Sequence, residues 1–192
     1  MKSTFLITML GLFALASIHA DTTTQWKGAS NINFSGTSTL HNWSGDVAAE
    51  PFVAKVTLND SGQPTRISAK VEVKAQSMNT AEADRDKNMH NAMQVPNFPL
   101  ITATMDTPFD KVTGPDSKVP TMLPFKLNLV GKTHQVVGTI SKWSVKGDTA
   151  TFDLDFLLSL KNCGIKVPSV MLIISVGDTV KLHANVKLVR NR

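Results

Sequence analysis

Cysteine is almost missing from this chain: Cys163 is the only one in 192 residues. A lone thiol has no partner within its own chain. That excludes a disulfide scaffold, CxxC redox chemistry and a cysteine-based zinc site. Charge is sparse as well, at 18% of residues, with 20 basic against 15 acidic side chains. The basic residues are scattered, and even Lys181, Lys187, Arg190 and Arg192 alternate with apolar residues or end the sequence. Binding to nucleic acid needs a basic stripe with stacking aromatics, and aromatics make up only 6% of the chain. No nucleic-acid footprint is present. The hydrophobic share, 42%, excludes disorder of the chain as a whole. At about 100–200 residues per domain, the length fits one domain with its own core.

Motifs that carry chemistry are missing too. Asp84-Arg85-Asp86-Lys87-Asn88 begins like a calcium loop, but Met89 stands where the turn glycine belongs and Val95 where the closing glutamate belongs. His41, His90, His134 and His183 have no partner at metal-binding spacing. There is no Gly-x-Ser-x-Gly elbow, and Gly36, Gly45 and Gly131 are isolated turn glycines rather than a phosphate cradle. Nothing beside Cys163 in Asn162-Cys163-Gly164 supplies a base. The sequence predicts no enzyme, no metal and no cofactor.

Long apolar runs are missing except for one. Met1-Lys2 gives a positive start, Phe5 to Ile18 is mostly apolar, and Ile18-His19-Ala20 ends on a small residue before Asp21. The run is shorter than the roughly 18–20 residues that cross a bilayer. This pattern predicts a signal peptide over residues 1–20, cleaved after Ala20, and an exported domain over residues 21–192 with no membrane span.

What is present is alternation. Trp26, Gly28, Ser30, Ile32 and Phe34 share one face of a strand, and Lys27, Asn31, Asn33 and Ser35 share the other. Phe52 to Leu58 and Ile67 to Val73 repeat the pattern around the turn Asn59-Asp60-Ser61-Gly62. Ile101 to Met105, Leu123 to Leu129, His134 to Ile140, Phe152 to Leu158 and Val180 to Leu188 continue it. The fold class is therefore all-β, with about eight antiparallel strands joined by short turns. Closure into a barrel removes the sheet edges. One stretch has a different period. Asn79-Thr80-Ala81-Glu82 resembles a capping box, Met89, Ala92 and Met93 fall at helical spacing, and Val95-Pro96 ends the run. One short helix is expected there.

An eight-stranded barrel is just wide enough to be filled by side chains or to hold one slim guest. Phe34, Val56, Val71, Leu127, Phe152, Phe156 and Leu182 sit on the apolar parity of their strands and are expected to point inward. An inward set with almost no charge favours an apolar guest, and a filled core remains the alternative.

Several stretches together resemble the YceI-like family of exported lipid-binding proteins. Ile32 to Trp43, with Gly36-Thr37-Ser38-Thr39-Leu40-His41, is similar to that family's first strand and histidine-containing turn. Arg85-Asp86-Lys87-Asn88-Met89, followed by Pro96-Asn97-Phe98-Pro99-Leu100-Ile101, resembles its Arg-Asp helix and the aromatic-proline approach to the next strand. Val130 to His134, and Cys163-Gly164-Ile165 with Val176 to Val180, resemble later segments. The chain departs from the family at Cys163, where an aromatic is usual, and in the Asp110 to Pro120 insert.

The resemblance implies an extended, lipocalin-like barrel in the periplasm, whose tunnel takes one long amphiphile such as a polyisoprenoid, an isoprenoid quinone or a fatty amide. It leaves a homodimer open as the assembly. Met89, Met93 and Phe98 are then expected to line or cover the tunnel, because methionine adapts to irregular apolar guests. His41, Trp43 and Arg85 are expected at its polar end, and the same three residues would equally serve as a turn cap, a core aromatic and a helix surface charge. The competing reading is a filled barrel that acts through its surface as a stress-related interaction protein.

Overall fold

The computed structural model describes residues 22–114, 117, 119–166 and 175–191. The signal peptide expected over residues 1–20 lies outside them. Among the described residues nine strands follow in chain order: β1 (Thr22–Gly36), β2 (Trp43–Ala48), β3 (Phe52–Leu58), β4 (Pro64–Lys74), β5 (Leu100–Pro108), β6 (Met122–Leu129), β7 (Lys132–Lys146), β8 (Thr149–Ser159) and β9 (Thr179–Arg190). Helix α1 (Ala83–Ala92) lies between β4 and β5, and a single turn, α2 (Asp110–Thr113), lies between β5 and β6.

The strands from β3 to β9 pair with their sequence neighbours, all antiparallel, and β1 closes the ring between β3 and β9. This is an eight-stranded barrel with one extra strand. Alternation places its core. In β6, Leu123, Phe125, Leu127 and Leu129 are buried while Lys126 and Asn128 are exposed. In β7, Val136, Gly138 and Ile140 are buried between exposed neighbours. A tight turn sets the β3–β4 register, where Asn59 Oδ1 accepts the backbone N–H of Ser61 at 3.1 Å and of Gln63 at 2.9 Å.

The extra strand is β2, which the period-two reading did not single out. β1 is 15 residues long and uses two partners on one side. Thr22 to Gly28 pair with β3, and Asn31 to Gly36 pair with β2. Pro51 has no N–H for a ladder and marks the break between them. At that break Ala49 N–H donates to Ser30 O at 2.9 Å, and Glu50 N–H to Glu72 O at 2.8 Å. Strands β2 and β3 thus follow one line, interrupted in the middle.

The helix begins later than the capping pattern predicts. Asn79 does not cap it, because its Oδ1 accepts the N–H of Ala81, and Ala81 turns the chain with φ 60°. Glu82 holds the cap position without a side-chain bond. The insert adds the one-turn helix α2, whose Val112 is buried.

Candidate functional site

The barrel is not filled. A cavity of about 750 Å³ runs along its length, with a wall that is almost wholly apolar. Large rings pack against one another within that wall: Phe125 meets Phe156 edge-on at 5.3 Å, and Trp143 lies 5.6 Å from Phe152. Small residues, Ala54, Ala69, Ala103 and Ala184, face the same space from other strands. The mix of rings and alanines on lumen-facing positions leaves the room.

A connecting segment reaches the cavity at each end. At the end where β1 reaches Gly36, α1 presents Arg85, Asn88, Met89 and Ala92 to the cavity, at spacings of three and four that place them on one helix face. The segment before α1 straps it down. Asp46 and Asn79 exchange backbone hydrogen bonds at 2.8 and 3.0 Å, which ties this segment to β2. Asp86 Oδ1 accepts both the N–H and the hydroxyl of Thr80. His90 adds a third fastening, its Nε2 3.0 Å from Met78 O and its Nδ1 3.3 Å from Gln76 Nε2. At the other end, Phe109 and, from the insert, Val112 and Pro120 reach the cavity, and Thr121 N–H holds the insert through Val112 O at 2.9 Å.

Phe34, Trp43, Val56, Val71, Met89, Met93, Leu127, Phe152, Phe156 and Leu182 all lie on the cavity wall. Phe98 does not. Its ring covers Gly131 in the β6–β7 turn, where a Cβ would stand 2.6 Å from Phe98 Cε1. Pro96 and Pro99 on either side of it turn the chain out of α1 toward β5, so the ring lands outside the lumen. His41 and Arg85 reach the cavity at the α1 end. Trp43 joins them, packed edge-on against Phe34 at 6.3 Å, with its Nε1–H donated to Thr37 O at 3.2 Å. Ser38 hydroxyl and N–H both donate to His41 O, which holds the turn through its backbone and leaves the His41 imidazole at the rim. Among the described residues no ion-pair partner reaches Arg85.

Sequence reasoning missed Asn88 and the whole insert end. Asn88 carries a signal, three positions after Arg85 on the same helix face. Val112 and Phe109 carry none, because a one-turn helix has no readable period.

Cys163 is buried in the turn after β8. Burial pushes its thiol up, nearby Asp178 pushes it further, and Lys132 partly offsets both. Burial and a raised thiol both work against its acting as a nucleophile. Among the described residues no cluster of three or more His, Cys, Asp or Glu could hold a metal ion. No helix among them is long and apolar enough to cross a membrane.

The family model described as YceI-like domain matches residues 24–188. No curated protein matches the chain. A polyisoprenoid binding domain from Saccharophagus degradans, implicated in plant cell wall breakdown, has a similar structure: TM-score 0.58 at 13% identity, over 88% of this chain and 100% of that one. BcnA of Burkholderia cenocepacia superposes with a TM-score of 0.59 at 15% identity, over 82% of this chain and 95% of its own. The YCEI protein of Campylobacter jejuni gives 0.50 at 13% identity, over 100% and 94%. At these identities the likeness is one of fold.

Proposed function

Because the chain belongs to the YceI-like family, we propose that it is an exported carrier or reservoir for one long-chain amphiphile. The guest is a polyisoprenoid, an isoprenoid quinone or an acyl lipid, with its chain in the barrel and its polar end at α1. The observation that carries this reading is the cavity of about 750 Å³, apolar along its length and polar at its rims. Single-ligand pockets span about 300–1,000 Å³. Each methylene buried there contributes about 0.8 kcal/mol, so one long chain offsets the cost of association. Arg85 and His41 place positive or hydrogen-bonding groups at one rim, which suits a headgroup left near water. The polyisoprenoid binding domain from Saccharophagus degradans supports the lipid class by its fold. The apolar run before Asp21 supports export to the periplasm.

A filled barrel acting through its surface is the reading disfavoured by this cavity. Native mass spectrometry of gently extracted protein tests the choice. The expected result is a mass above that of the chain, which delipidation removes and added isoprenoid quinone restores. Protein that carries no lipid from the cell, and takes up none afterwards, overturns the carrier reading.

A further inference from the structure

Ser30 is the odd residue in the wall. It lies in the middle of β1 on the lumen-facing parity, between Gly28 and Ile32 and opposite Val186 of β9. It lines the cavity, is 8% exposed, and its Oγ is buried with no hydrogen-bond partner. Other hydroxyls on the same wall are satisfied. Thr24 Oγ1 donates to Val56 O, Ser38 Oγ to His41 O, and Thr80 Oγ1 to Asp86. A buried hydroxyl without a partner is a standing cost to the fold, and alanine or valine would continue the apolar pattern without it.

We propose that Ser30 is a hydrogen-bonding site within the barrel, which takes a neutral oxygen of the bound lipid: a ketone, a hydroxyl or a quinone carbonyl. This rests on the carrier reading and narrows its guest. Because the Ser30 Cβ is on the lumen parity, a staggered step about χ1 directs the hydroxyl into the lumen. The partner must be neutral. The charged residues on the wall, Arg85 and Arg190, stand at the two ends, and nothing near mid-barrel would pair with an ion. At ~3.3 Å per residue and a strand tilt of ~35–45°, Ser30 lies roughly 15 Å below Gly36 at the α1 rim. A lipid anchored by its headgroup at that rim therefore meets Ser30 with its chain, and a lipid that enters ring first meets it with its ring.

The test compares the parent with Ser30→Ala and Ser30→Thr on three probes: octadecanoic acid, the same acid with a mid-chain ketone, and an isoprenoid quinone. Ser30→Ala should bind the keto acid or the quinone about fivefold more weakly, the usual worth of one neutral hydrogen bond. It should bind octadecanoic acid as the parent does, and melt no lower than the parent. Ser30→Thr, which keeps the hydroxyl, should restore the lost affinity. A loss on the keto acid places the oxygen within the chain, and a loss on the quinone places the ring at mid-barrel. Equal weakening on all three probes, or on none, overturns the proposal while leaving the carrier reading in place. A parent that binds no probe overturns both.

Discussion

Asp86 holds Thr80 twice, accepting its backbone N–H at 2.8 Å and its hydroxyl at 2.6 Å through the same oxygen. Thr80 is buried, so removing the carboxylate leaves two donors without a partner. Asp86→Ala should cost about 1–3 kcal/mol in urea unfolding. The loss should be local at first, with faster amide hydrogen exchange across α1 than across β6 or β7.

The cavity can be filled from its wall. Ala103 in β5 stands opposite Val71 and Leu127 on its two neighbouring strands, and all three line the lumen. Ala103→Trp adds bulk without charge. Lipid seen by native mass spectrometry should disappear, while circular dichroism and the melting temperature stay close to the parent's. A folded variant that still carries a full complement of lipid places the guest elsewhere.

Acid sensitivity should concentrate at Asp153. Its carboxylate is held below the ordinary value by hydrogen bonds from Lys142 and then Asn185, against the opposing effect of burial. A depressed carboxylate contributes stability above its unfolded value of about 3.9, and that contribution is lost as the pH falls through the lower folded value. The parent should therefore lose stability below about pH 4. Asp153→Asn should start lower at neutral pH and fall less steeply over that acid window, as followed by urea midpoints against pH.

Cys163 should resist alkylation. It is 2% exposed and its thiol is pushed up by burial. Iodoacetamide at neutral pH should leave the native protein unmodified and label it fully in denaturant, with intact mass as the readout.

Much of the barrel was legible because a strand with one wet face writes its period into the chain. Leu123 to Leu129 and Phe152 to Leu158 show this most plainly. β2 was not legible. Its lumen-facing positions are Trp43, Gly45 and Val47, and Gly45 is small because the Phe34 ring occupies the space where its Cβ would stand. Phe34 is the direct partner of Gly45 on the paired strand β1, so a cross-strand packing constraint erases the apolar mark. The helix start was misplaced for a related reason, since Asn79 spends its side chain on the turn at Ala81 rather than on a cap. All seven strand residues expected to point inward, Phe34, Val56, Val71, Leu127, Phe152, Phe156 and Leu182, are on the cavity wall, because parity decides which way a strand residue faces, and Met89 and Met93 reach it from α1 and its C-cap. Phe98 lies in no strand, so parity had nothing to say about it.

The pairing of β1 with β9 carries a consequence for how the molecule comes into being. Phe34 meets Leu182 and Trp26 meets Arg190, partners separated by most of the described sequence. Loop closure on that scale has to be completed before the ring's last hydrogen bonds can form, which is the hallmark of slow-folding topologies. A nascent chain that lacks β9 leaves one edge of β1 and one edge of β8 open, each a template for another strand. The protein is thus most exposed to self-association in the interval before β9 pairs with β1 and β8, and a chaperone that shields strand edges would matter most during that interval.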